Sequence, residues 1–350
     1  MQENARTHAR RPMHRDDIEI RAYRPGDEQR ILDAFNLVFR ETCGPAYVDR
    51  TMEHWAWQYL RNPLGNRIML AVAGDGTVAS QYAGVPMLAD TPWGPQRFVH
   101  CVDSMTHPSY RQGLQKQALF TQVGARYGDD CLVVGEAMCF GLPVDMAFRI
   151  GQRYLQYHMM RTIDFLVRDR ATPPPEHDAS IRCERAEKLP PDLEGLWAAV
   201  RADKECLVRK DRAYLQWRYA DHPERSAYEF WTARTGERLR GMLVMRREQG
   251  LVPDGAVIVD WIVPEGDTAT SAALIAAASQ RQSELGRQRL ITVVPPWSAE
   301  HAMFAQHGFV CTPSSQWMQR RMVHGIHLAS LTPDYLASHW WYMLGDTDLA

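Results

Sequence analysis

The stretch that decides the fold is Val99-His100-Cys101-Val102-Asp103-Ser104-Met105-Thr106-His107-Pro108-Ser109-Tyr110-Arg111-Gln112-Gly113-Leu114. It reads as a strand, Val99–Thr106, then a basic turn containing glycine, then a helix running from Arg111 to Tyr127. A strand that feeds a helix through such a turn brings several backbone N–H groups and a helix N-terminus to one point, a geometry suited to phosphate. The common phosphate cradles are excluded, because the chain holds no GxxxxGK[ST] and no GxGxxG after a strand.

Upstream of this stretch, Ile18–Tyr23 alternates as a strand, and Pro25-Gly26-Asp27 opens a helix carrying Ile31, Phe35, Val38 and Phe39. A second helix carries Trp55, Trp57, Tyr59 and Leu60. Ile68–Ala73 and Val78–Val85 form a hairpin around Gly74-Asp75-Gly76. Downstream, Cys131-Leu132-Val133-Val134 reads as a buried strand. The order of elements is β-α-α-β-β-β-α-β-α-β.

The chain has 350 residues, enough for two domains each with a sizeable core. The run Ala171-Thr172-Pro173-Pro174-Pro175 favours an extended linker and marks the boundary. An internal echo supports the division: Trp57-x-Tyr59-x-x-x-Pro63 recurs as Trp217-x-Tyr219-x-x-x-Pro223, 217 − 57 = 160 residues later, as expected of a duplicated domain. The matching tryptophans are expected to pack in the core of each copy, and Trp93, in a turn, to pack as well. The second half repeats the order, with a hairpin at Thr235-Gly236-Glu237, a strand Ala256–Val263, a helix Ala269–Leu285, a strand Leu290–Val294 and a helix closing at Gly308-Phe309. The divisions are therefore a disordered basic tail 1–17, domains 18–172 and 173–331, and a docking tail 332–350 that covers a cleft or a subunit contact.

A formal charge of −2 offers no long-range attraction to nucleic acid, and no apolar run reaches membrane-spanning or signal-peptide length. The chain is thus expected to be cytoplasmic, as a monomer or homodimer. Seven scattered cysteines without a CxxC read as reduced thiols, and thirteen histidines without HExxH predict no metal site.

The decisive stretch resembles the CoA-binding segment of the GNAT acyltransferase superfamily, roughly Pro-x-Tyr-Arg-x-x-Gly-x-Gly/Ala. The element order and Met146–Gly151, placed like Met303–Phe309 in the second half, extend the resemblance over most of residues 18–318. It implies an α/β fold with mixed sheets, in two tandem GNAT-like domains. It also implies acetyl-CoA or another acyl-CoA as co-substrate and a small-molecule amine as acceptor. Met105 and Thr106 then hold the pantetheine, and Tyr110, Arg111, Gln112, Gly113, Leu114, Gln115 and Lys116 form the pyrophosphate turn. Two departures stand out: Arg111 lies two steps from Gly113 instead of three, and Gln115 replaces a small residue. In the second half the corresponding loop, Glu265-Gly266-Asp267, is acidic and would repel phosphate, so that copy is read as degenerate.

Acyl transfer to an amine needs a base and an acid. Alternation puts His100, Val102 and Ser104 on one face of the strand and Cys101, Asp103 and Met105 on the other, unless a bulge intervenes. The resemblance implies as catalytic candidates His100 and Asp103 on that strand and Tyr154 as acid, with Tyr157 as its rival; Glu136, after Cys131–Gly135, is a further candidate at the ligand-facing strand end. The segment Asp211–Pro223 and the Gly345-Asp346-Thr347-Asp348 ending are similar to GNAT proteins of bacterial polysaccharide synthesis, implying an amino sugar acceptor. The alternatives are a non-catalytic binding protein with a decayed CoA loop and an aminoacyl-tRNA-dependent peptidoglycan-bridge-type transferase. The near-neutral charge counts against the latter.

Overall fold

The computed structural model describes residues 17–111, 117–247, 250–317 and 319–349. The sequence tail at residues 1–16 and the turn residues Gln112, Gly113, Leu114, Gln115 and Lys116 lie outside these ranges.

The first half runs β1 (Glu19–Ala22), α1 (Glu28–Cys43), α2 (Met52–Tyr59), β2 (Arg67–Val72), β3 (Val78–Asp90), β4 (Gln96–Thr106), α3 (Leu119–Val133), β5 (Glu136–Gly141), α4 (Asp145–Tyr154), β6 (His158–Thr162) and β7 (Asp164–Asp169). The second half runs β8 (Arg182–Ala186), α5 (Leu193–Ala202), β9 (Cys206–Val208), α6 (Arg212–Leu215), β10 (Tyr228–Thr235), β11 (Arg238–Arg246), β12 (Gly255–Ile262), α7 (Thr268–Glu284), β13 (Arg289–Thr292), α8 (Ala299–Gln306), β14 (Val310–Pro313) and β15 (Arg321–Ile326). The tail adds α9 (Pro333–His339) and β16 (Trp340–Trp341). The fold is the expected α/β arrangement of two mixed sheets. Among the described residues, no helix is long and apolar enough to cross a membrane.

Two local expectations are corrected. The helix read from Arg111 begins only at Leu119. Cys131–Val133 is the end of that helix rather than a strand, and Leu132 and Val133 project outward from its last turn. An apolar run of four has no period by which a strand can be told from a helix end.

The sheets also cross the division at 172/173. One is ordered β1-β2-β3-β4-β5-β15-β6, and the other β14-β7-β13-β12-β11-β10-β8. The halves thus exchange one strand each: β15 of the second half sits between β5 and β6, and β7 of the first sits between β13 and β14. Ile163 alone separates β6 in one sheet from β7 in the other, and its N–H bonds to the Arg320 carbonyl at the mirror crossing, 2.8 Å away. Strand β9 and the tail's β16 extend the first sheet beyond the end of β3.

The largest hydrophobic cluster is accordingly continuous through both halves, running from Trp57, Val85 and Phe98 to Val244, Ile258 and the tail residues Trp340 to Leu344. Two satellites belong to the first sheet, one under α1 and α2, the other under α3. Trp57 and Trp217 do not pack in separate cores. They stack on each other at the junction, ring centres 5.4 Å apart.

Candidate active site

Strand β4 pairs with β5 only from Arg97↔Glu136 to His100↔Phe140, and beyond that point the two strands part. A bulge in β4 begins the departure. Gln81 pairs with Met105 and Ala83 with Val102, so Asp103 and Ser104 together face Tyr82, with Asp103 at φ 54. An extra residue of this kind bends and twists a strand.

The bulge also overturns the simple alternation of faces. Asp103 lies on the α2 side, bonded to Gln58 and Tyr59, and Met105 joins the α1–α2 cluster. Both therefore share the face of His100, which lines a cavity with His54 and Trp57 of α2.

Where the strands part, a largely apolar cavity of about 580 Å³ opens between β4, β5, α3 and α4. Met105, Thr106, Tyr110 and Arg111 line it. Arg111 donates to the Thr106 carbonyl at 3.2 Å and pairs with Glu41 at 3.0 Å, so its charge already has a carboxylate beside it. Ala118 precedes α3 and provides no side-chain cap. In the second half the matching helix end is taken: Asp267 accepts from the Thr270 N–H at 3.1 Å and pairs with Arg240 at 2.8 Å.

A second cavity, of about 220 Å³, lies between the halves and is lined by His54, Trp57, His100, Trp217, His222 and the tail residues Gly345 to Asp348. Val102 and Asp348 border both cavities, so the two meet at the parting of β4 and β5. The tail is held there by buried bonds. Trp341 donates its indole N–H to Glu300 at 3.1 Å, and Lys210 pairs with Asp346.

His100 is buried, with Nε2 3.5 Å from the Asp348 carboxylate and without a hydrogen bond among the described residues. Burial pushes its imidazole below the ordinary value against the opposing pull of Asp348, leaving a neutral ring able to accept a proton.

Asp103 is fully engaged. Its Oδ2 accepts from Tyr59 at 2.7 Å and from Gln58 at 2.9 Å and pairs with Arg50. Burial alone would raise this carboxyl, but Arg50 and the hydrogen bonds hold it below the usual range. A matching triad stands in the second half, where Tyr219 donates to Asp260 and Lys210 pairs with it at 2.9 Å; the tyrosine and the cation lie 160 residues on, the aspartate 157. Arg50 and Tyr59 thus have counterparts at Lys210 and Tyr219. A triad built in both halves joins the α2-type segment to the central strand, and Asp103 is part of that link.

Glu136 is also displaced from its expected place. Because residues 131–133 are helical, it begins β5 instead of ending a strand, at the far end from the parting. It is buried against Arg67, 2.6 Å away, and burial with the neighbouring Cys131 raises it to about 7. Tyr154, the last residue of α4, does not line the large cavity, whereas Tyr157 does. Tyr157 shares a hydrogen bond with Tyr82 and lies so close to Gly151 that a Cβ there would fall 2.0 Å from its ring. Burial raises its hydroxyl well above the usual value, keeping it protonated.

Sequence reasoning missed His54, His222 and Asp348. The first two flank the repeated Trp-x-Tyr motif, and the third follows the apolar tail, but only the junction brings the three together.

No family model and no curated protein matches the sequence. Solved structures match its fold. A probable N-acyltransferase of Enterococcus faecalis V583 shares 13% identity at TM-score 0.63, over 89% of this chain and 73% of that one. A GCN5-related N-acetyltransferase of Anabaena variabilis shares 12% at TM-score 0.61, over 88% and 72%. A tandem GNAT protein from the clavulanic acid biosynthesis pathway shares 14% at TM-score 0.53, over 89% and 98%. With two sheets of the same plan and a parted central strand pair, the chain has the tandem fold of the GCN5-related N-acetyltransferases.

Proposed function

We propose that the protein is an N-acyltransferase that moves an acyl group from acetyl-CoA or a related acyl-CoA to a primary amine. The observation that carries this reading is the meeting of the two cavities at Val102 and Asp348. An apolar slot between parted strands suits a pantetheine arm and acyl group, with Met105, Thr106, Tyr110 and Arg111 along it; the turn Tyr110–Lys116 is assigned to the phosphates on the sequence alone. The smaller cavity takes the amine.

The thioester supplies the acyl carbon: its bond to nitrogen forms as its bond to sulfur breaks. His100 Nε2 accepts the proton leaving the amine, and Asp348 steadies the charged imidazole. Tyr157 gives its hydroxyl proton to the departing thiolate. Trp57, Trp217 and Tyr228 line the smaller cavity beside its polar groups, a setting that would suit an amino sugar as acceptor.

Two measurements test the reading. Saturating acetyl-CoA should stabilise the folded protein by about 3 kcal/mol or more in a thermal or denaturant titration. An amine panel should show turnover that His100→Ala lowers about 100-fold or more, with KM for acetyl-CoA unchanged. A folded protein that neither acetyl-CoA nor longer acyl-CoAs stabilise at millimolar concentration would overturn this reading.

A further inference from the structure

At the wall of the large cavity, side chains from three segments converge. Cys131 closes α3, Cys139 lies in β5, and His327 follows β15, the strand contributed by the second half. One ligand atom from each lies within 4.8 Å of the other two, and the two sulfurs are 3.4 Å apart. The sulfur separation falls within the roughly 3.3–3.8 Å edge of a tetrahedron around an ion with ligand bonds of about 2.0–2.3 Å, and the imidazole is within reach of the same point.

We propose that Cys131, Cys139 and His327 bind a zinc ion that pins the exchanged strand β15 to the first half. Two thiolates and an imidazole form a soft to borderline donor set, which selects zinc over magnesium or calcium. Cys139 and His327 line the large cavity, as does Cys101.

The surroundings favour metallation. The Arg67 guanidinium lies 3.7 Å from the Cys131 sulfur, a donor that supports a thiolate there. Each thiol releases its proton to solvent as it ligates, and Cys131 gives up its present bond to the Tyr127 carbonyl. The group is absent from the acyl-transfer steps above, so this assignment stands or falls separately from them.

The full chain, purified under reducing conditions without chelator, should carry about one zinc per molecule by elemental analysis. Exchange with cobalt should produce the thiolate-to-metal charge-transfer band of a tetrahedral sulfur site. His327→Ala, whose side chain is only partly buried, and Cys139→Ser should each lower zinc affinity at least tenfold, while Cys43→Ser, at an exposed cysteine, should leave it unchanged. Chelation should lower the Tm of the native chain and not that of His327→Ala. The assignment is overturned if reduced, folded protein keeps no zinc after gel filtration with one equivalent. It is equally overturned if His327→Ala binds as tightly as the native chain, or if Cys131 and Cys139 prove joined as a disulfide.

Discussion

The indole N–H of Trp57 donates to the main-chain oxygen of Trp217 at 2.7 Å, and the indole of Trp217 returns the bond to Trp57 at 3.0 Å. This reciprocal pair places the pseudo-twofold axis of the duplication between the two rings. Each bond fills a buried carbonyl of the other half, so neither half can satisfy this site alone.

Replacing either indole by a benzene ring strands a buried acceptor. Trp57→Phe and Trp217→Phe should each cost about 1–3 kcal/mol, read from urea unfolding. The double variant should fall short of the sum by at least about 0.5 kcal/mol, because the two bonds share one contact. Strict additivity would show that the pairing does not couple the halves.

Asp103 and Asp260 should behave alike. Asp103→Asn leaves Arg50 without its carboxylate and Asp260→Asn removes one of two from Lys210. Loss of a buried ion-pair partner costs roughly 3–5 kcal/mol, with the smaller effect expected at Asp260. If Asp103→Asn abolished turnover without changing the unfolding midpoint, Asp103 would be a catalytic group.

Tyr157→Phe should lower kcat about 100-fold while Tyr154→Phe leaves it within twofold, since only Tyr157 lines the cavity. Gly151→Ala should mimic Tyr157→Phe, because the added methyl evicts that ring. Equal effects at the two tyrosines would assign the acid elsewhere.

Two histidines at the junction should make the fold acid-sensitive, against Glu136 and Asp346, whose raised carboxyls take up protons on folding in the same range and work the other way. Burial and the nearby Arg50 lower His54 from 6.5 to about 4, and burial with Arg218 lowers His222 to about 2. Between 6.5 and 4 the unfolded chain binds protons that the folded chain refuses. The contribution is therefore complete above about pH 6.5 and is lost progressively as pH drops toward 4. Asp103, also depressed, adds to the loss at lower pH. Relative to the native chain, His54→Gln should gain stability at pH 5.5 compared with pH 7.5 in denaturant midpoints; an unchanged pH dependence in the variant would contradict the assignment.

The strand exchange predicts that fragment 18–172 will not fold alone. It lacks β15 to cover β5, and its own β7 has no sheet to enter. Expressed singly it should aggregate, and co-expression with 173–350 should restore soluble material. A monomeric, cooperatively unfolding 18–172 would refute the requirement for exchange.

Much of this architecture was legible locally. The Gly74-Asp75-Gly76 hairpin, the α2 pattern and the strand around Val99–Thr106 depend on short-range periodicity and turn chemistry, and the structure keeps all three. Glu136 and Tyr154 were misplaced for the same reason in reverse. A four-residue apolar run carries no period, and a helix end fixes which tyrosine is near a cavity only to within a turn.

The sequence by itself determined the duplication, because residues 160 apart repeat in kind, and with it the order of elements in each half. Tertiary structure alone decided that the copies trade β7 for β15, that a bulge turns Asp103 toward Arg50, and that Asp348 arrives beside His100. The physical reason is that hydrogen-bond ladders are blind to sequence order. Either strand can close either sheet, and the choice is made by packing at the junction, where Trp57 meets Trp217.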